Sequence, residues 1–209
     1  MRFFDCKTAP SPRRVRIFLA EKGLELETIQ VDLGSGEQFG DAFKKLNPDC
    51  AVPVLQLDDG QCISEVVAIC SYIEALHPAP ALMGETPEAR AAALMWNAKV
   101  EQQGLSAMAD AFRNSAKGLK DKALTGPDAY PQIAELAVRG RQRVDRFMAR
   151  MDDRLAEAKY LAGGSFSIAD ISAMVFVDFA AWIKIPLPSE AENLKRWYDD
   201  VSTRPSAAA

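Results

Sequence analysis

The sequence predicts an α/β half followed by an all-helical half, and three observations favour this fold class. Residues 2–76 change hydrophobic period repeatedly, which is typical of alternating strands and helices. Residues 77–86 are rich in proline and small side chains and have no clear period. After them only helical spacing remains. We therefore expect domains at 1–77 and 87–209, joined by a linker at 78–86, and a chain of 209 residues can hold both.

The α/β half is predicted to follow the order βαβαββα. Strands are expected at 2–5, 29–33, 54–57 and 61–63, and helices at 11–23, 39–46 and 66–76. Ser11-Pro12 starts the first helix, because proline is favoured in the first helical turn. Asn47-Pro48 closes the second helix. Asp59-Gly60 between two apolar runs predicts a hairpin turn of the primed type.

In the second half, two long segments keep helical spacing of apolar residues. The spaced residues are Leu94, Ala98, Leu105, Met108 and Phe112 in one segment, and Val144, Phe147, Met148, Met151 and Leu155 in the other. Further on, Ser167 and Asp170 form a capping-box pattern, with Phe166 and Ile171 at hydrophobic-staple positions. This pattern predicts the start of a buried helix and a role in folding rather than in chemistry.

Composition argues against several function classes. A formal charge of −4 leaves no basic excess for a nucleic acid or an anionic membrane surface. The longest apolar stretch, 168–183, contains Asp170 and Asp178, so we expect no membrane span. The start Met1-Arg2-Phe3-Phe4-Asp5 has no apolar h-region, so we expect no secretory leader. The four cysteines and the single histidine, His77, lack metal-ligand spacing. We expect a cytoplasmic protein without a metal.

Several short motifs occur in order along the chain. They are Arg14-Val15-Arg16-Ile17, Ala20-Glu21-Lys22-Gly23, Asn47-Pro48, Val52-Pro53-Val54-Leu55, Ser64-Glu65, Ala68-Ile69 and Phe166-Ser167-Ile168-Ala169-Asp170. In this order and spacing, the sequence resembles the cytosolic glutathione transferases over essentially its whole length. The resemblance implies a thioredoxin-like N-terminal domain, a helical-bundle C-terminal domain and glutathione as co-substrate.

The resemblance also implies a docking site for glutathione. Pro53 enters a central strand, where proline is normally excluded because it donates no hydrogen bond. In the family this proline is cis, and the residue before it, here Val52, pairs through its main chain with the peptide-like ligand. A simple turn proline is the alternative. Glu65 is implied to meet the γ-glutamyl end, although helix capping alone would also favour an acid there.

The first amide of the helix after Glu65 belongs to Val66, and the resemblance implies that it binds the ligand carboxylate. Relatives usually carry Ser or Thr at this position, so one hydroxyl contact is missing. Gln38 stands where many relatives have a polar residue that reaches the glycyl carboxylate. Lys45 is a second candidate for that contact, or an ordinary surface lysine.

The catalytic residue departs from the family pattern. Ala9 stands where several classes have a catalytic serine, and Ser11 where one class has a cysteine. The loop is similar to that of a fungal and bacterial subgroup that lacks the usual catalytic Tyr, Ser or Cys and relies on the helix N-terminus and a held water. Candidates for stabilising the thiolate are Ser11, Thr8, Asn114 and Ser115. Capping of the helix by Ser11 remains an equal alternative.

Further roles follow from the resemblance. Phe112 is a candidate for the electrophile pocket or for the core, and Glu101 for a contact with a partner subunit, since relatives are usually homodimers. The predicted function is conjugation of glutathione to small apolar electrophiles, with a possible peroxidase side activity. Two alternatives stay open. One is a glutathione-binding scaffold without chemistry, and the other is a glutathione-dependent disulfide reductase, in which Cys6 is either reactive or structural.

Overall fold

The computed structural model describes all 209 residues and divides the chain into two compact units. The first unit consists of Met1–Pro80 together with Leu124–Ala129 and the last residue. The second consists of Ala81–Ala123 and Tyr130–Ala208. All four strands lie in the first unit, and the second is built from helices. The predicted fold class, an α/β half followed by a helical half, is confirmed.

The first unit, here called the α/β unit, is a four-stranded sheet with three α-helices. Its elements are β1 (Arg2–Asp5), α1 (Pro10–Glu21), β2 (Glu27–Gln30), α2 (Asp41–Lys44), β3 (Val54–Gln56), β4 (Cys62–Ser64) and α3 (Val66–Leu76). The strand order is β2-β1-β3-β4, with β1 and β2 parallel and the other pairs antiparallel. The predicted order βαβαββα is thus confirmed, and α1 supplies the crossover that a parallel pair needs.

The hairpin between β3 and β4 differs from the prediction. The amide of Gly60 donates to the carbonyl of Leu57, and the amide of Leu57 donates to the carbonyl of Gln61. Gly60 has φ +91°, whereas Asp59 does not adopt a positive φ. A primed turn of type I′ needs positive φ at both central residues, so that prediction is wrong. The loop instead has three residues, with glycine at the left-handed position.

Two other predicted boundaries shift for local reasons. The second strand covers Glu27–Gln30 rather than 29–33, because β1 ends at Asp5 and Asp5 pairs with Gln30. The predicted helix at 39–46 is a 3-10 turn, Glu37–Phe39, followed by α2. Gly40 separates the two with an extended backbone, φ −73° and ψ 152°.

The second unit, here called the helical unit, contains five α-helices. They are α4 (Pro87–Lys99), α5 (Ser106–Arg113), α6 (Ala134–Glu157), α7 (Ile168–Trp182) and α8 (Glu192–Ser202). A π-helical stretch, Val100–Leu105, joins α4 to α5. The predicted capping box starts α7, with Asp170 Oδ2 accepting from the amide and the hydroxyl of Ser167. None of the helices has both the length and the apolar character needed to cross a membrane.

Several arginines of α6 contact the helical segment that precedes α5. Arg143 donates to the carbonyl of Gln102 at 2.6 Å, and Arg150 donates to Oε1 of Gln103 at 2.7 Å. Both acceptors lie in the π-helical stretch. These two bonds join α6 to the stretch between α4 and α5.

Candidate active site

Val52 lies two residues before β3 and has a free main-chain edge. Its N–H and C=O make no hydrogen bond within the chain, whereas the neighbouring carbonyl of Ala51 accepts from Asn47 at 2.8 Å. The peptide bond between Val52 and Pro53 is cis, as the resemblance implies. One donor and one acceptor on the same residue are the groups that an extended peptide needs to pair as an added strand.

The start of α3 offers a second set of free main-chain groups. The amides of Val66, Val67 and Ala68 have no acceptor in the chain, because no side chain caps the helix at Glu65. Glu65 itself is exposed and adopts φ +70°, which is uncommon for a residue with a side chain. Backbone outliers of this kind concentrate at ligand sites. Free amides at a helix N-terminus form an anion site.

The start of α1 is unusual because two of its first residues are prolines. Pro10 and Pro12 lack an N–H, so Ser11 provides the only amide among the first three positions of the helix. Neither that amide nor the Ser11 hydroxyl has a partner in the chain, and no side chain caps the helix. Ser11 therefore presents two free donors at the positive end of a 12-residue helix.

The loop between β1 and α1 contains the other candidates on this side. Thr8 is exposed, and its hydroxyl oxygen lies 3.5 Å from the sulfur of Cys6. Cys6 is buried. The amide of Ala9 donates to the carbonyl of Cys6 at 2.9 Å, so the loop closes into a tight turn before the helix begins. Ala9 itself offers no side-chain donor.

The pairing register brings these features to one end of the sheet. Val54 pairs with Phe4 of β1 and with Ser64 of β4. Because β3 is antiparallel to both neighbours, its first residues lie beside the last residues of β1 and β4. The loop to α1, the edge at Val52 and the start of α3 therefore lie at the same end of the sheet.

Gln38 and Lys45 lie in the segment between β2 and β3. Gln38 is in the 3-10 turn and is largely buried, and its Oε1 has no partner. Lys45 is exposed, and its ammonium group makes no ion pair or hydrogen bond within the chain. Gln38 is thus the more constrained of the two candidates for a ligand carboxylate.

Asn114 and Ser115 follow α5 in the helical unit, and their side chains form hydrogen bonds with main-chain groups of the same unit. Asn114 donates to the carbonyl of Asp110 at 3.0 Å and accepts from the amide of Ile133 at 2.9 Å. Ser115 donates to the carbonyl of Ala111 at 2.7 Å. Asn114 is also buried. Their contacts close the end of α5 and the base of the following loop, which favours a structural role.

Phe112 packs edge-to-face against Phe179 and Trp182, with ring centroids 5.5 and 6.0 Å away. Phe179 is buried, while Trp182 is about half exposed. Phe112 thus belongs to an aromatic cluster at the ends of α5 and α7 that is partly open to solvent. Glu101, the candidate partner-subunit contact, lies in the π-helical stretch and is half-buried.

Two surface cavities of about 480 and 490 Å³ lie elsewhere on the α/β unit. One adjoins the end of α1 and includes Arg16 and Thr28, and the other lies beside α2 over Phe4 and Phe43. Neither contains Val52, Glu65 or Ser11. Strand addition uses an open main-chain edge rather than a deep cavity. Free hydrogen-bonding groups, and not a cavity, therefore mark the candidate site.

Comparison with known proteins decides the family. The profile of the glutathione S-transferase N-terminal domain matches residues 8–76, and that of the C-terminal domain matches residues 105–205. Glutathione S-transferase 2 of Saccharomyces cerevisiae is 37% identical over 209 residues, covering 99% of this chain and 87% of the yeast protein. The chain belongs to the glutathione transferase family.

Solved glutathione transferase structures agree with this assignment along the whole chain. The crystal structure of Gtt2 from Saccharomyces cerevisiae has a TM-score of 0.91 and 36% identity, and covers 100% of this chain and 99% of its own. A glutathione S-transferase domain-containing protein of Marinobacter aquaeolei also has a TM-score of 0.91, with 35% identity and 99% coverage of both chains. This glutathione transferase is therefore an enzyme with glutathione as its co-substrate, as predicted.

Two contributions to the site of this transferase are additional to those predicted above. The first is the amide of Ser11, which matters because both flanking residues are prolines, and Pro10-Ser11-Pro12 is the sequence signal for it. Asn47 holds the turn before Val52 by donating to Ala51 and by accepting from the amide of Asp49 at 3.1 Å. Asn before Pro is a known turn signal, but its side-chain partners follow only from the fold.

Proposed function

We propose that this transferase docks glutathione along the Val52 edge and conjugates its thiolate to small apolar electrophiles. The observation that carries the proposal is the set of free hydrogen-bonding groups at one end of the sheet: both main-chain groups of Val52, the first amides of α3, and the two donors of Ser11. Free polar groups concentrated at one place favour a ligand there.

In this proposal each end of glutathione has its own partner. The cysteinyl main chain pairs with Val52, and Pro53 sets the approach to β3. The γ-glutamyl carboxylate binds the amides that begin at Val66, while Glu65 meets the neighbouring ammonium group. Gln38 donates to the glycyl carboxylate.

The chemistry in this proposal occurs at the start of α1. The thiolate is the nucleophile, whereas a free thiol is mostly protonated near neutral pH. The positive helix end and the Ser11 donors favour the thiolate, and Thr8 adds an exposed hydroxyl nearby. The thiol proton passes to water, the sulfur bonds to the electrophilic carbon, and a leaving group such as halide departs with the displaced electron pair.

Ala9 supports assignment to the subgroup that lacks the usual Tyr, Ser or Cys, and this assignment is part of the proposal. Asn114 and Ser115 rank behind Ser11 and Thr8 as catalytic candidates, because their hydrogen bonds are used within the helical unit. Phe112, in its half-open aromatic cluster, is the proposed wall for an apolar electrophile.

The proposal extends to the setting of the enzyme. It includes a cytoplasmic homodimer with Glu101 facing the partner subunit, a peroxidase side activity, and domains at 1–77 and 87–209. The family resemblance of the whole chain supports these points. Sedimentation velocity tests the dimer, and turnover of cumene hydroperoxide tests the peroxidase activity.

The central experiment measures the thiol of bound glutathione. Calorimetry gives the affinity, and thiolate absorbance during a pH titration gives the pKa of the bound thiol. We expect a pKa at least about one unit below the free value near 8.5, together with turnover of aryl halides or epoxides. An unshifted thiol pKa with no turnover across aryl halides, epoxides and organic peroxides would contradict the proposal.

A glutathione-binding protein without chemistry is the second candidate, and Ala9 is the observation that favours it. Its side chain cannot donate a hydrogen bond, and its amide is already used by Cys6. Tight binding of glutathione with an unshifted thiol pKa would select this candidate. A disulfide reductase would instead lose activity when Cys6→Ala is introduced.

A further inference from the structure

Asp5, the last residue of β1, is a buried acid with two defined partners. Its Oδ1 accepts from Nη1 of Arg16 at 2.6 Å, and its Oδ2 accepts from Nε2 of Gln30 at 2.7 Å. Only 1% of the Asp5 side chain is exposed. Arg16 lies on α1 and Gln30 ends β2, so the carboxylate joins three elements of the α/β unit.

The same two partners also hold the main chain of Lys7. Nη2 of Arg16 donates to the carbonyl of Lys7 at 3.0 Å, and Oε1 of Gln30 accepts from the amide of Lys7 at 2.9 Å. Each partner therefore contacts Asp5 with one group and Lys7 with another. We call this closed ring of Asp5, Lys7, Arg16 and Gln30 the Asp5 network.

The position of Lys7 gives the Asp5 network its significance. Lys7 directly precedes Thr8, and the amide of Ala9 closes the next turn before α1 begins at Pro10, one residue ahead of Ser11. Fixing both main-chain groups of Lys7 leaves little freedom in the loop that carries the thiol-facing donors. A loop that is held by supporting hydrogen bonds positions its donor groups more accurately than a loop without them.

We propose that Arg16 and Gln30 are positioning residues for thiolate formation, acting through Asp5 and Lys7 on the loop that presents Thr8 and Ser11. This inference rests on the proposed function, because it concerns the same thiol. It explains why a basic residue is used on α1: a charged donor fork spans a carboxylate and a carbonyl at once. Arg16 thereby serves the loop rather than the ligand.

Gln30→Met is the main test, because Gln30 is exposed on an edge strand and the change removes both of its bonds at similar volume. We expect kcat to fall about tenfold to hundredfold and the pKa of bound glutathione to rise, since misplaced donors lose their effect. The KM for glutathione should stay within about twofold, because the docking groups at Val52 and Glu65 are untouched.

Glu27→Met is the matched control, since Glu27 is exposed on the same strand and makes no side-chain hydrogen bond. It should leave kcat and the thiol pKa unchanged. Arg16→Met should resemble Gln30→Met, and Arg16→Lys should recover part of the loss by keeping a cationic donor group without the guanidinium fork. If Gln30→Met behaves like Glu27→Met in kcat and thiol pKa, the inference is overturned.

Amide hydrogen exchange tests the Asp5 network without glutathione. In Gln30→Met the amide of Lys7 should exchange at least about tenfold faster, because its acceptor is lost, and the amide of Ala9, which donates to the carbonyl of Cys6 in the same loop, should follow. Unchanged exchange at Ala9 would overturn the inference even if the wild type proves inactive. An unshifted thiol pKa in the wild type would instead contradict the proposed function. Amide hydrogen exchange would then be the remaining test of whether the Asp5 network holds the loop.

Discussion

The ammonium group of Lys22 lies 2.5 Å from a carboxylate oxygen of Glu74, and both side chains are buried. The same nitrogen donates to the carbonyls of His77 at 2.8 Å and Pro80 at 2.5 Å. Lys22 follows α1, and Glu74 lies in the last turn of α3. All three donors of one lysine thus tie the ends of these helices to the segment that leaves the α/β unit.

Replacing Lys22 with Met should destabilise the protein strongly. The change removes the ammonium group of Lys22 from the Glu74 carboxylate and from two carbonyls, and removing one partner of a buried pair costs about 3–5 kcal/mol of unfolding free energy. Urea unfolding measures the loss. Lys44→Met, at an exposed position on α2, should cost under about 0.5 kcal/mol. Equal midpoints for the two variants would contradict the prediction.

Glu65 should show a conflict between stability and binding. Its φ of +70° is strained for any residue with a side chain, so Glu65→Gly should hold or raise the unfolding free energy, by up to about 1 kcal/mol. The same change should weaken glutathione binding about tenfold or more, because a charge-assisted contact is lost.

Glu65→Gln separates the two effects, since it keeps the strain and removes the charge. It should weaken glutathione binding in calorimetry while leaving the urea midpoint near that of the wild type. Unchanged affinity in both variants would mean that Glu65 serves the helix start alone.

The sequence predicted features that depend on local chemistry. Proline before β3 and an acid before α3 are signals within a few residues, and the capping box at Ser167 and Asp170 is another. The prediction of a primed turn was wrong because Asp59 has a negative φ and the loop contains three residues instead of two. Turn type depends on the register of the flanking strands, which the dipeptide alone does not determine.

The Asp5 network and the contacts of Lys22 with Glu74, His77 and Pro80 could not be predicted in this way. Asp5 meets Gln30 only because β1 and β2 pair in parallel, and Lys22 meets Glu74 only because α1 lies beside α3. In the sequence Arg16 is one of several basic residues at the start of a helix, where its charge opposes the dipole. Its acceptors become visible only when the elements are packed.

Ser11→Ala should lower kcat about hundredfold and raise the pKa of bound glutathione, because it removes one of two donors at the start of α1. Thr8→Val should cost less, about tenfold, since Thr8 is exposed and its hydroxyl is already near Cys6. Both variants should bind glutathione with an affinity near that of the wild type. A larger loss for Thr8→Val than for Ser11→Ala would assign the main donor to Thr8.

Asp170 should make stability depend on pH in mildly acidic solution. Burial raises the pKa of Asp170 to about 6, although hydrogen bonds from Leu161, Trp197 and Ser167 favour the charged form. In the unfolded chain the pKa is near 3.9, so between about pH 4 and pH 6 the folded state holds a proton that the unfolded state has released. Stability from Asp170 is therefore full below about pH 4 and is lost as pH rises through 6.

Asp170→Asn removes this titration and also turns an amide group towards donors, so it should be less stable than the wild type at every pH. The gap in unfolding free energy between the wild type and the variant should be larger at pH 4.5 than at pH 7 by about 2 kcal/mol, since each unit of pKa shift is worth about 1.4 kcal/mol.

The wild type offers an independent measurement that does not require the variant to fold. The indole N–H of Trp197 donates to Oδ1 of Asp170 at 3.0 Å, so its NMR signal should titrate with a midpoint near the pKa of Asp170, about 6. A flat signal between pH 5 and pH 7, or a gap that grows towards pH 7, would show that the carboxylate stays charged in the folded state.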